Sequence, residues 1–304
     1  PLRFSLNESY KSGELPLWDR HFAQGFPLLA AFQPGVFYPP HAMLLFFPFF
    51  LAIRLLFVLH FLIAAIGAYM LLRRWRHACY LSIVGALLFT LGGTIVSLSN
   101  LLNHFQTAVW LPWAILTWER ALHAPNWRNF LTFTVVSAVQ FLGGSPELFA
   151  MSMALVAVDG LRIRSIEPTI SYQRVIGFFF AGNLLVIAVI MAQLLPTLEL
   201  IFQSRRLQTI PAGEALQWSF NPLSLVNFFF LDKEVDPTLA NGTRLFFARR
   251  APLLISNYMG AIALFCLCLW CFYSTIRERI IAMSLLAASL IFALGDHTAI
   301  FPFL

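Results

Sequence analysis

The chain has 304 residues, 59% of them hydrophobic and only 11% charged, and 32 are phenylalanine. Soluble domains carry about 25% charge and about 45–50% apolar residues, so a soluble fold would leave more apolar surface than it can bury, and a polytopic membrane protein remains. The net charge of +6 comes from basic residues scattered between apolar runs, without a clustered stripe or an aromatic-interleaved basic segment, which sets nucleic acid aside as a partner.

In chain order, the first stretch opens at Pro1 without a Met or a leader pattern, so the chain is expected to be a piece of a longer protein. Leu2, Leu6 and Tyr10 share one face of a short surface helix, and turn and aromatic signals follow as far as Pro40. Met43 to Ile53 is apolar but broken by Pro48 and closed by Arg54, which suits an interfacial or re-entrant helix. Eight apolar runs come next: Leu55 to Leu72, Leu81 to Leu98, Phe105 to Trp118, Phe130 to Leu142, Leu148 to Val158, Val175 to Leu195, Tyr258 to Tyr273 and Ile280 to Leu294. The fourth and fifth are short, since about 14 helical residues rise only about 21 Å against a hydrocarbon core of about 30 Å. They are either tilted spans or a hairpin dipping into the membrane. In both cases Gly143-Gly144-Ser145-Pro146-Glu147 breaks the helix near the membrane, where irregular backbone needs protein or a water-filled cavity beside it.

Lys and Arg accumulate in cytoplasmic loops. Arg73, Arg74 and Arg76, then Arg120 and Arg128, then Arg162, Arg164 and Arg174, and finally Arg277 and Arg279 occupy alternate connections, whereas Ser99 to His104 and Gly143 to Glu147 contain neither residue type. The expected organisation is an all-α, multi-pass bundle of about eight membrane segments. Residues 1–41 form a first extracytoplasmic loop with an interfacial helix, 42–195 carry segments one to six, 196–256 form a second extracytoplasmic loop, and 257–304 carry segments seven and eight.

No phosphate-binding loop, zinc pair or nucleophile elbow is present. Cys266, Cys268 and Cys271 lie in one apolar run without a nearby His or carboxylate, and Cys79 stands alone, so buried thiols are expected rather than a metal, redox or disulfide site. Chemistry therefore falls to dispersed polar groups. Glu147 follows a Pro-broken helix, where a carboxylate is costly without a partner or a task, and a solvated loop acid is the alternative. His104 and Gln106 stand at the mouth of the third run and can line the same cavity. Asp19 flanks Trp18, and a carboxylate beside an aromatic shelf can act as a general base on a hydroxyl or bind a sugar; an ordinary polar loop is the alternative. Arg205 and Arg206 pair two guanidinium forks at headgroup depth, suited to a lipid phosphate or to general anionic-lipid contact, and Arg249 and Arg250 close the same loop. Asp232-Lys233-Glu234-Val235-Asp236 is expected to be solvated charge.

The motifs Gly13-Glu14-Leu15-Pro16-Leu17-Trp18, Gln33-Pro34-Gly35-Val36-Phe37-Tyr38-Pro39, Leu71-Leu72-Arg73-Arg74, Gly143-Gly144-Ser145-Pro146-Glu147, Gln193-Leu194-Leu195-Pro196-Thr197-Leu198-Glu199 and Ala293-Leu294-Gly295 occur in this order and spacing. Through them the chain resembles, over essentially its whole length, the YfhO-type bacterial multi-spanning membrane proteins, grouped with the GT-C-like glycosyltransferases. The resemblance implies a GT-C-like fold in the bacterial cytoplasmic membrane, a cavity open to the outer face, a polyprenyl-phosphate-linked sugar as donor and a cell-envelope glycan as acceptor. It further implies that a carboxylate of the first outer loop deprotonates the acceptor while basic residues steady the lipid phosphate. The sequence marks no resident cofactor and no metal-ligand set, and it leaves the need for a divalent metal open. Two departures stand out: the family's base lies ahead of Pro1-Leu2-Arg3, and Asp19 and Ser145-Pro146-Glu147 stand where relatives carry Asn and His-Pro-Gln. The candidates are thus Asp19 and Glu147 for catalysis and Trp18, His104, Arg205 and Arg206 for substrate binding. The other readings are a transporter or flippase whose broken helices form a midplane site, and a non-catalytic subunit of envelope assembly.

Overall fold

The computed structural model describes residues 2–20, 25–204 and 258–295, together with positions 219, 220, 222, 225, 228, 229 and 298. The described residues are helical throughout, apart from turns and one isolated antiparallel bridge between Asp19 and Phe26. The chain divides into two compact units, one of residues 1–90 and 98–204 and the other of residues 91–97 and 205–304.

In the larger unit, α1 (Leu2–Ser12) is the expected surface helix, and its Leu6 packs with Leu28, Val36, Leu44 and Ala52, flanked by Leu2 and Tyr10. A 3-10 turn (Pro39–Ala42) leads into α2 (Met43–Phe46), which ends before Pro48. Pro48 does not close a separate interfacial helix. It caps α3 (Phe49–Arg74), so Phe49 to Ile53 and Arg54 belong to one continuous 26-residue helix, because a proline's missing N–H costs nothing ahead of a first turn. Next come α4 (Cys79–Leu91), then α5 (Gly93–Leu98), which but for Leu98 belongs to the smaller unit, and then α6 (Leu102–Ala108), α7 (Leu111–His123), α8 (Trp127–Leu142), α9 (Pro146–Ile166) and α10 (Tyr172–Gln203).

The third apolar run is not one helix. It breaks at Val109–Trp110, ahead of Pro112 near the start of α7. The fifth run is part of a longer helix than its apolar residues suggest. α9 has 21 residues, a rise of about 31 Å, because Asp159 and Arg162 continue it as an i,i+3 ion pair. The Asn126 side chain caps α8 and that of Ser171 caps α10, each accepting a backbone N–H three residues on.

Among the described residues, three helical segments are long and apolar enough to cross a membrane: Phe49–Arg74, Cys79–Leu98 and Tyr172–Gln203. α7 joins α8 and α9 in a core of Trp118, Leu122, Phe133, Met153 and Val156, which Val175 of α10 completes. Glycines admit aromatic rings between the helices. A Cβ on Gly67 of α3 would lie 2.5 Å from the Trp113 indole nitrogen, and one on Gly182 of α10 would lie 2.8 Å from the Phe133 ring. Phe32 has a positive φ of 65°, a conformation that a bulky side chain rarely adopts, and its ring stands edge-on to Phe141 at 4.7 Å. The ring is thereby fixed in the core between α8 and α10.

In the smaller unit, α11 (Ala261–Tyr273) and α12 (Ile276–Leu294) carry no buried side chain, and Thr275 with Glu278 forms a capping box at the start of α12.

Candidate functional site

The break between α8 and α9 is held by α6 and by the first loop. Gly144 has φ 102°, and a Cβ there would come within 3.1 Å of the Gln33 carbonyl, so the loop backbone rests directly on the break. The Asn103 amide donates to the Gly144 carbonyl at 3.1 Å, the Ser145 N–H donates to Thr107 Oγ1 at 3.2 Å, and Gln140 Nε2 donates to the Thr107 carbonyl at 3.2 Å. Pro146 then starts α9, which places Glu147 in its first turn, where the helix dipole favours a carboxylate.

There Glu147 meets His104. His104 Nε2 lies 2.8 Å from Glu147 Oε1; the His104 side chain is 20% exposed and that of Glu147 is 52% exposed. Burial alone would raise the Glu147 carboxyl, but the bonds from His104 and from its own backbone N–H outweigh burial and hold the group at about 2. The result is a carboxylate ionised at neutral pH, aimed by an imidazole and half open to solvent.

Two buried hydrogen-bond relays lie under the first loop. In one, Arg3 Nη2 donates to Gln106 Oε1 at 3.3 Å, and Gln106 Nε2 lies 2.8 Å from His41 Nε2, while His41 Nδ1 lies 2.8 Å from the Gly35 carbonyl. A carbonyl only accepts, so His41 carries its proton on Nδ1 and accepts at Nε2. In the other, Trp110 Nε1 donates to the Tyr38 hydroxyl at 2.9 Å, Tyr38 Oη lies 2.6 Å from His60 Nε2, and His60 Nδ1 lies 2.5 Å from the Leu56 carbonyl. The same argument makes His60 a neutral acceptor of the Tyr38 proton. Burial, reinforced by the nearby Arg3 charge, pushes His41 down to about 3, and burial pushes the Tyr38 hydroxyl up.

The structure brings together His104 and Glu147, two positions singled out from the sequence, whereas Gln106, a third, bonds to Arg3 and His41 instead. Asp19 is enclosed instead: it is 3% exposed, accepts from Ser5 Oγ at 2.6 Å and pairs through its backbone with Phe26. It ties α1 to the loop and presents no carboxylate to a substrate. Trp18 is 56% exposed and lies across Gly25. Arg205, Arg206, Arg249, Arg250 and the acidic stretch 232–236 lie outside the described residues. Among the described residues no three metal-ligating side chains gather.

His41, His60 and Tyr38 were missed from the sequence, although an ionisable residue inside an apolar run, as His60 is, is a functional candidate by default. A second charged cluster was also missed. Glu119 of α7 is 3% exposed and accepts from Arg74 Nε at 2.8 Å, Trp75 Nε1 at 2.8 Å and Arg162 Nη2 at 3.3 Å. His123 Nε2 lies 3.1 Å from Glu167 Oε1 beside it, and together these groups line a cavity of about 480 Å³ where the C-terminal ends of α3, α7 and α9 meet. Comparison of the chain with protein-family models, curated proteins and solved structures finds no match.

Proposed function

We propose that this chain is part of a membrane glycosyltransferase of the bacterial cytoplasmic membrane, moving a sugar from a polyprenyl-phosphate carrier to an extracytoplasmic cell-envelope glycan. The observation that carries this reading is the half-exposed Glu147 carboxylate, held by His104 at a helix break beneath the first loop. In the reaction the acceptor hydroxyl gives its proton to Glu147 as its oxygen attacks the anomeric carbon. The bond from that carbon to the phosphate oxygen breaks, and its electron pair leaves with the lipid phosphate. His104 keeps Glu147 ionised and aimed, and the exposed Trp18 indole offers a sugar-stacking face. Arg205 and Arg206 remain candidates for the donor phosphate.

The proposed topology has eight crossings, with residues 1–41 and 196–256 outside. Two observations support it. Basic residues occupy alternate loops, and in the larger unit Arg74, Glu119, His123, Arg162 and Glu167, which end three different helices, meet at one place. Glu147 begins the helix that Arg162 helps to end, so the acid and the basic loops belong to opposite ends of α9. A carrier needs a site reached from both faces, and a half-exposed acid at one end of α9 favours transfer.

The test uses full-length protein in liposomes with polyprenyl-phosphate sugars and an envelope glycan, following release of free polyprenyl phosphate. Release should require the acceptor, and Glu147→Gln should lower kcat by about 10²–10⁴-fold. Because Glu147 is ionised above about 2, wild-type kcat/KM should show no acid limb from this group between pH 4 and 7. His104→Ala removes the largest lowering bond and leaves the backbone and Ser145 bonds to oppose burial, so any acid limb should move upward toward that window. Absence of release from folded protein across several sugars would reject the transferase, and passage of intact lipid-linked sugar across the bilayer would put a carrier in its place.

A further inference from the structure

The charged cavity where α3, α7 and α9 end lies at the opposite end of α9 from Glu147, and its groups are not all spent on one another. Glu119 is spent: it takes three donors and its side chain is 4% exposed. Arg74 and Arg162 each use Nε and Nη2, so the Nη1 of each makes no hydrogen bond among the described residues, and their side chains are 28% and 33% exposed. Arg76 lines the same cavity, is exposed, and its side chain makes no ion pair or hydrogen bond among the described residues. It stands at φ 62°, in a turn where the Arg76 and His77 N–H groups bond back to the Arg73 and Leu72 carbonyls and glycine is the usual residue. The wall thus carries a guanidinium where the backbone favours glycine. On the acidic side, Glu167 follows the last residue of α9, is 46% exposed, and engages only Oε1, which lies 3.1 Å from His123 Nε2.

The balance of charge selects the ligand. Arg74, Arg76 and Arg162 are matched by Glu119, Glu167 and Asp159, the last bonded to Arg162 at 2.6 Å, so a bare anion gains no net attraction. A ligand carrying both signs can use the unspent groups of both. Depth selects its source: α3 is long and apolar enough to cross a membrane and ends at Arg74, so the cavity lies at the level of the lipid headgroups. The exposed Trp75 and Ile166 side chains line it too and offer apolar surface to acyl chains. We propose that this cavity seats the headgroup of a zwitterionic phospholipid bearing a primary ammonium. The phosphate oxygens accept from Arg76 and from the Nη1 of Arg162, and the ammonium donates to the free Oε2 of Glu167. The site stands apart from the transferase reading, because none of its groups belongs to the Glu147 end of α9.

The test is binding to the purified chain in detergent, by native mass spectrometry and by ligand-induced shift of the melting midpoint. The probes are short-chain phosphatidylethanolamine, phosphatidylglycerol and phosphatidylcholine, and free phosphoethanolamine. Phosphatidylethanolamine should bind about tenfold or more tightly than the other two lipids, because the glycerol headgroup brings no cation and the choline ammonium has no N–H to donate. Glu167→Gln should bring phosphatidylethanolamine down to the level of phosphatidylglycerol. Arg76→Asn, which keeps a residue that tolerates the left-handed turn, should weaken all three lipids about tenfold. Both positions are exposed, so each variant should melt as wild type does without lipid. Equal binding of the three lipids by wild type, or a preference and affinity unchanged in both variants, overturns the site. Tightest binding of phosphatidylglycerol also overturns it, since that is the ordinary attraction of basic residues to anionic lipid. Free phosphoethanolamine binding as tightly as the lipid overturns the lipid as the source and assigns the cavity to a soluble zwitterion.

Discussion

Burial decides which histidine can respond to acid. His41 is fully enclosed, and its folded form holds off protonation to about 3, whereas an unfolded imidazole titrates near 6.5. The unfolded chain therefore binds the proton first. The stability tied to this neutral histidine is complete above pH 6.5 and falls, as pH drops toward 3, by as much as about 1.4 kcal/mol per pH unit. Thermal midpoints between pH 4 and 7 should show that slope, and His41→Gln should flatten it. Glu119 presents the opposite case, a buried carboxylate satisfied by three donors. Glu119→Leu removes the carboxylate partner of Arg74 and leaves Arg162 with Asp159 alone, and should cost about 1–3 kcal/mol, read by thermal unfolding in detergent. Adding Arg74→Met should recover part of the loss, because the charge left without a carboxylate goes with it, whereas adding Arg162→Met should deepen it by stranding the buried Asp159.

Helices in this chain meet where one side yields. Gly67 leaves room for the Trp113 ring, whose Nε1 donates to the Ile63 carbonyl at 2.9 Å. Gly67→Ala would push its Cβ onto that indole, should loosen α3 from α7 and should cost about 1–3 kcal/mol in unfolding. At this scale the sequence was legible where periodic signals are strong. The aliphatic runs of α3 and α10, the break at Gly143 to Glu147 and the amphipathic α1 all followed from local chemistry. Two element features did not. The interruption at Val109–Trp110 stands just ahead of Pro112, in the first turn of the next helix, and hydropathy has no term for a helix that restarts at a proline. The extension of α9 to Ile166 depends on Asp159 bonding Arg162, so residues that look like a loop prolong the helix. The site was half legible for a related reason. His104 and Glu147 each stood out locally, but the Arg3 to His41 and Trp110 to His60 relays join residues 65 to 103 positions apart in three of their bonds or pass through backbone carbonyls, and composition along the chain carries no trace of such pairings.

Across the whole molecule, the distribution of charge makes a claim about sidedness that labelling can check. In a variant without native cysteines, Lys11→Cys in α1 should react with a membrane-impermeant maleimide in intact cells, whereas Arg76→Cys, just after α3, should react only once the membrane is opened. Reaction of both from outside would reject the proposed orientation. The two relays beneath the first loop also have a bearing on energy coupling. Each passes hydrogen-bond donation from one end to the other and ends on a main-chain carbonyl, Gly35 in one and Leu56 in the other. A carbonyl oxygen takes no proton onward, so neither relay can serve as a wire for protons through the bilayer. The two chains of bonds therefore fasten the first loop to α3 and α6 instead of carrying protons.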